Sequence, residues 1–246
     1  MKYKLTEETE VVAGVTVHRI QALKSFGNVT EGDLGGWVAS EANLSQEGLC
    51  WVSGKACVSG KAMVFGDACV SGNAQVYGYA WVFGDAQVYG NARVCGNAQV
   101  YGNAKVLGNA RVYGYAWVYG EAKVSGDAEV SGDAEVYGNA KVSGNARVYG
   151  DAWVYGDALV SGDSRVYGKA RVSDKPEQEE PEVYTGTVGE PKTFDTLDTD
   201  TQLEYEKYTL SKLLLEIGDL DCKFPEEMIC RDIANCKMRI RLLEGV

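Results

Sequence analysis

Acid–base and metal chemistry at neutral pH draws first on imidazole and thiolate, and this 246-residue chain has one histidine and seven cysteines. His18 stands in "EVVAGVTVHRIQAL", with no second imidazole to complete a ligand set. A lone histidine in a strand-like run reads as a surface or packed residue. Cys50, Cys57, Cys69, Cys95, Cys222, Cys230 and Cys236 are odd in number and form no C-x-x-C pair. They read as reduced thiols filling small positions. There is no Gly-x-Gly-x-x-Gly loop, no Walker sequence and no clustered metal-ligand spacing. The remaining reactive or sticky types come at regular intervals instead. Glu121, Glu129 and Glu135 could act as substitute bases, but scattered carboxylates read as solvated. Arg93, Lys105, Arg111, Lys123 and Lys141 could grip an anion, and Trp81, Trp117 and Trp153 recur every 36 residues.

The elements that position them follow one rule. Val occupies every sixth position from Val52 to Val172, making 21 hexads, and Gly fills every matching position from Gly54 to Gly168. Ala stands two before each Val from Ala56 to Ala170 except at Ser164, so the unit is A-x-V-x-G-z with z mostly Asn or Asp. In A-x-V-x the Ala and Val side chains point to one face and the x residues to the other, as in a short strand. Gly followed by Asn or Asp is turn chemistry, because Gly tolerates positive φ and Asx side chains bond their own backbone. Three such sides close a coil of 18 residues. The regular hexads then give about seven coils, stacked at about 4.8 Å into a core rod about 34 Å long. One coil cannot bury its own face, so the array needs length and caps.

With residue n under residue n+18, outward positions become columns. One column reads Met63, Trp81, Gln99, Trp117, Glu135, Trp153, Arg171, and beside it runs Phe65, Phe83, Tyr101, Tyr119, Tyr137, Tyr155, Ser173. Tyr79 and Tyr115 sit at the corner entering that face. Three explanations of this aromatic face stand open: rings that hold adjacent strands together, a subunit or partner interface, and a ligand groove with rings as stacking platforms. Lys105, Lys123 and Lys141 form a column on another face, and Arg93 and Arg111 an adjacent pair on the third. An anion such as a phosphate or nucleotide is their candidate ligand, set against a solvated, charge-balanced face.

The ends differ from the rod. Residues 1–35 lack the repeat and read as a β cap with a hairpin across Ala13-Gly14; residues 36–173 form the rod, with imperfect hexads at Gly36-Trp37-Val38 and Ala42-Asn43-Leu44 and a two-residue slip before Val52. Residues 174–197 read as an exposed acidic linker, and 198–246 as a helical hairpin with Pro225, Glu226 and Glu227 in the first turn of its second helix. The net charge of −11 divides as −3 over residues 1–50, +1 over 51–172 and −9 over 173–246. That distribution gives no basic footprint for nucleic acid, and a near-neutral rod is no DNA mimic. No stretch approaches the about 18 apolar residues of a membrane span, so the chain reads as cytoplasmic.

The A-x-V-x-G-[ND] spelling resembles the hexapeptide-repeat proteins, and the resemblance covers roughly residues 36–173. It implies the fold class: an all-β solenoid, a triangular left-handed parallel β-helix, here with a small β cap and a C-terminal helical hairpin. The YGNA and YGDA wording, and the opening "GDLGGWVASEANLSQEGLCWV", look most like hexapeptide-repeat proteins of phages and prophages. Members of the family are often acyltransferases with a histidine near the subunit junction, or carbonic anhydrases with zinc on three histidines. The one histidine here lies outside the coils, and no loop insertion interrupts them to wall off an acyl-donor pocket. The expectation is therefore a non-enzymatic binding or assembly module with no cofactor. It would be a homo-oligomer, a trimer by the family's habit, or would bind a host or phage protein through Phe65, Tyr79, Trp81, Phe83, Tyr101, Tyr115, Trp117, Tyr119, Tyr137, Trp153 and Tyr155. Two alternatives remain: a counter-defence protein that sequesters a nucleotide or blocks a host enzyme, and a diverged acyltransferase.

Overall fold

The computed structural model describes residues 1–174, so the acidic linker past Asp174 and the helical hairpin at 198–246 lie outside the described residues. Within most hexads only two residues form the strand, the one before Val and Val itself, as in Trp81–Val82, Gln87–Val88 and Arg93–Val94; Arg147–Tyr149 and Arg165–Tyr167 run one residue longer. The rest of the hexad is corner. Gly takes positive φ there, +77° at Gly78 and +72° at Gly132, a region that side chains disfavour.

Strands pair in parallel with those 18 residues on and build three sheets. Sheet I carries Gln75, Arg93 and Arg111 in register, sheet II Gln87, Lys105 and Lys123, and sheet III Trp81, Gln99 and Trp117. Sheet I has ten strands and the other two seven each. Two of the ten are antiparallel additions, which leaves about eight turns. The first turn is irregular and adds to the regular coils read from the hexads.

Between turns the main chain is tied about three times per hexad. The Asn91 N–H donates to the Gly108 carbonyl at 2.7 Å, Arg93 to Ala110 at 2.9 Å and Cys95 to Val112 at 2.9 Å. Inside, the Val and Ala columns are buried from Val52 to Ala152. Burying each such Val side chain contributes roughly 1.5 kcal/mol or more. The position two before Val takes small side chains throughout, Ala in nearly every hexad, Cys50 in the first and Ser164 near the end.

The corners hold a feature that the turn chemistry alone does not foresee. Asn73 donates its amide to Asn91 Oδ1 at 2.9 Å, Asn91 to Asn109 at 3.0 Å, and Asn109 to Asp127 at 2.8 Å. Asn139 to Asp157 and Asn145 to Asp163 repeat the arrangement. These side chains bond along the stack, where register places an acceptor one turn on, rather than to their own backbone. Asn can donate and accept, so it continues such a ladder; Asp can only accept, so it ends one.

At the N-terminal end, β1 (Tyr3–Val12) and β2 (Val15–Ala22) form an antiparallel hairpin through Ala13 and Gly14, both at positive φ. β2 pairs with β3 (Leu34–Val38), the first of the parallel strands of sheet I. Trp37 pairs with Cys57 and Leu44 with Val64, each 20 residues on, whereas Trp51 pairs with Cys69, 18 on. The two extra residues therefore lie in the corner between Leu44 and Trp51. That swollen corner receives the start of the chain. The buried Lys2 ammonium donates to the carbonyls of Cys50 (2.9 Å), Glu47 (3.0 Å) and Gly48 (3.3 Å) and lies 5.2 Å from the Phe26 ring centre. Gln46 brackets Lys2 and Tyr3 through its side-chain amide, and the Tyr3 hydroxyl donates to the Leu44 carbonyl at 2.7 Å.

Glycine at the corners answers two demands, and they can be separated. A Cβ on Gly132 would stand 2.8 Å from the Gly150 nitrogen, whereas one on Gly162 would meet nothing within 4 Å. Both positions have positive φ, so either Ala substitution costs about 1–2 kcal/mol from backbone conformation. Gly132→Ala should lose clearly more than Gly162→Ala in urea denaturation. Equal losses would mean that close stacking of the corners is not what selects glycine.

Candidate functional site

Sheet III gathers the aromatic residues. Its rings Phe65, Phe83, Tyr101, Tyr119, Tyr137 and Tyr155 make one continuous stack, with centroids 4.8, 4.8, 4.9, 5.0 and 5.3 Å apart and planes within 10° of parallel. The spacing is that of the strands beneath. This column is a true intramolecular ladder, of the kind that contributes about 0.2–1 kcal/mol per pair.

The tryptophans are arranged differently. Register places Gln99 between Trp81 and Trp117, and Glu135 between Trp117 and Trp153. The indoles are thus two strand spacings apart, about 10 Å, and do not stack on one another. Trp117 is 40% exposed, and Tyr79 and Tyr115, at the corner beside them, 55% and 62%. Lys61 Nζ sits 5.2 Å from the Tyr79 ring centre and the Arg171 guanidinium 4.6 Å from that of Trp153. Glu135 is held by the Tyr119 hydroxyl, which donates to its Oε2 at 2.9 Å. Burial, then the nearby Glu135 carboxylate, raises the Tyr119 phenol well above the ordinary tyrosine range.

The cationic candidates fall on two separate sheets. Lys105, Lys123 and Lys141 make an exposed column on sheet II. Arg93 and Arg111 lie on sheet I, where the column continues through Glu129, Arg147 and Arg165. Glu129 is shared by Arg111 at 3.3 Å and Arg147 at 3.6 Å. The arginines and lysines therefore do not form one site. Sheet I also carries tyrosines that the column reading did not single out: Tyr77, Tyr113, Tyr149 and Tyr167, the last two stacked at 5.4 Å. The signal was present, since Tyr77, Tyr113 and Tyr149 recur every 36 residues just as the tryptophans do.

His18 lies half-buried in β2, opposite Thr9 on one side and Val38 on the other. Cys57 is buried on sheet I, and burial with help from Glu10 pushes its thiol up to about 11, away from reactivity. Burial also raises Cys50, against the opposing pull of the Lys2 ammonium 3.2 Å from its sulfur. Glu121 is exposed at a corner, while Glu129 and Glu135 are held by the partners described above. Among the described residues, no three His, Cys, Asp or Glu side chains converge as a metal site would require.

A family model described as YdcK Beta solenoid repeat matches residues 86–102, 104–120, 140–156 and 152–168, all within the coils. Each matched window is about one turn long. The chain is thus a β-solenoid repeat protein by sequence as well as by structure. No curated protein matches it.

The raised Tyr119 phenol has a consequence for alkaline stability. Unfolded tyrosines ionise near about 10. With Tyr119 kept neutral by the fold, the unfolded chain loses the proton first, so stability falls as pH rises past that value. Denaturation midpoints measured across this range should fall less steeply for Tyr119→Phe than for the parent. Identical slopes would show that the phenol is not perturbed.

Proposed function

We propose that this solenoid is a non-enzymatic assembly module and that sheet III joins copies of the chain, three rods meeting around a threefold axis. The observation that carries the reading is the contrast between the two aromatic columns. Phe and Tyr already supply continuous stacking along the rod. Trp81, Trp117 and Trp153 alternate with polar residues and gain no stacking from one another. Large amphipathic rings at regular intervals on a flat, stiff face match the anchors of protein interfaces, where Trp and Tyr are enriched. A straight rod also repeats each anchor at a fixed rise, so two or three copies in register engage several anchors together.

Further features fit this reading. The chain's only histidine is in β2 rather than in a coil, which argues against family-type acyl transfer or zinc chemistry. The left-handed coil and the phage or prophage source are what the resemblance to hexapeptide-repeat proteins implies. The free thiols among the described residues suit a reducing cytoplasm.

Light scattering on the full chain tests the assembly. The parent should run at three times the chain mass, and the triple variant Trp81→Ser, Trp117→Ser, Trp153→Ser at the mass of one chain, with its circular dichroism unchanged. A monomeric parent, or an unchanged mass in the variant, overturns the proposal.

A further inference from the structure

Sheet I carries a second aromatic column, Tyr77, Tyr113, Tyr149 and Tyr167, interrupted by Cys95 and again by Ser131. Tyr113 and Tyr149 leave the same face two turns apart, and the position between them is Ser131: the Tyr113 N–H donates to the Val130 carbonyl and the Ser131 N–H to the Val148 carbonyl. Two strand spacings separate the tyrosines by about 10 Å. On sheet III the equivalent positions from Phe65 to Tyr155 are all filled by a ring, at centroid spacings of 4.8–5.3 Å. Immediately beyond the gap two rungs stack directly, Tyr149 on Tyr167 at 5.4 Å. Ser131 thus leaves a vacancy one ring thick. The vacancy is an open cavity of about 260 Å³, lined by Tyr113, Glu129, Ser131, Arg147, Tyr149 and Arg165.

The charge beside the gap is not balanced. Glu129 is already divided between Arg111 and Arg147. Arg165 lies directly next to Arg147 in register and, among the described residues, makes no ion pair. Like charges on neighbouring rungs repel, and an anion bridging the two guanidiniums would relieve that repulsion with charge-assisted hydrogen bonds. A ring inserted midway would lie about 5 Å from each tyrosine, within the range of favourable aromatic contacts.

We propose that the Ser131 rung is a binding slot for a planar aromatic ring bearing an anionic group. The ring completes the tyrosine stack between Tyr113 and Tyr149, and the anion sits on Arg147 and Arg165. The slot takes a small molecule, because it accepts one ring and opens to solvent along the sheet. It lies on a different sheet from the tryptophan face and does not depend on the assembly proposed above.

Calorimetry on the full chain decides the matter, with adenosine and guanosine 5′-monophosphate, a benzoate-type carboxylate, adenosine and inorganic phosphate as probes. At least one ring-bearing anion should bind saturably, one per chain, and adenosine and phosphate alone about tenfold or more weaker. Tighter binding of a nucleotide assigns phosphate as the anion, and of the benzoate a carboxylate; either supports the slot. Ser131→Tyr fills the rung with the residue found on the turns above and below it, and should abolish binding without loss of structure. Ser131→Ala should keep binding, and Arg165→Gln should weaken it about tenfold. Should Ser131→Tyr fail to fold, Tyr149→Leu tests the same platform and should weaken binding about tenfold. The slot is refuted if no ring-bearing anion binds, if phosphate binds as tightly as the nucleotides, or if binding survives both Arg165→Gln and the folded ring variant.

Discussion

The hydrogen bonds that tie each turn to the next, such as Arg93 N–H to the Ala110 carbonyl, fix each residue from Trp51 onward over the one 18 positions away. Everything else in the rod is arranged around that register. The Val column is buried because Val lies on Val. Glycine is required at the corners because glycine backbones approach one another there. The asparagine ladders exist because an acceptor one turn on is within reach of each side-chain amide. A strand of two residues would be too short to hold by itself. Stacked several deep and closed into three sheets, such strands become a stiff scaffold whose interior leaves no choice of side chain and whose exterior leaves nearly all of it.

That division of labour governs function. The x positions of the hexad point away from the Val and Ala columns, so their own columns can differ from sheet to sheet without disturbing the core. Sheet III uses them for aromatic rings, sheet II for lysines, and sheet I for arginines interleaved with tyrosines. A substitution on any of these faces changes a surface while leaving its scaffold in place. Regular rises of one or two strand spacings then set the distances at which recognition groups are offered to solvent.

Much of this was legible in the sequence because the repeat is so strict. The 18-residue turn, the identity of the buried Ala and Val columns, the slip before Val52 and the gathering of Trp81, Trp117 and Trp153 on one sheet all follow from spacing. What spacing could not supply was side-chain direction and company. The bonding of Asn73 to Asn91, rather than to local backbone, depends on the height of one turn. Lys2 reads as an ordinary charged residue near the start of the chain. Only the fold shows it buried among the carbonyls of Glu47, Gly48 and Cys50. The tyrosines of sheet I were overlooked for another reason. Cys95 and Ser131 interrupt their column, so it lacks the unbroken run that drew attention to sheet III.

The two residues added between Leu44 and Trp51 are absorbed within a single corner, and the chain regains phase by the pairing of Trp51 with Cys69. Gene duplication or loss in such an array obeys a matching arithmetic. Gain or loss of a whole turn lengthens or shortens the rod and preserves every face, though it brings indole onto indole, or polar onto polar, wherever the alternation is broken. Gain or loss of a single hexad carries all downstream columns around to the adjacent side, splitting the tryptophan face in two. Whole turns are therefore enough to keep the indoles on one face, and pairs of turns are needed to keep them alternating with Gln99 and Glu135.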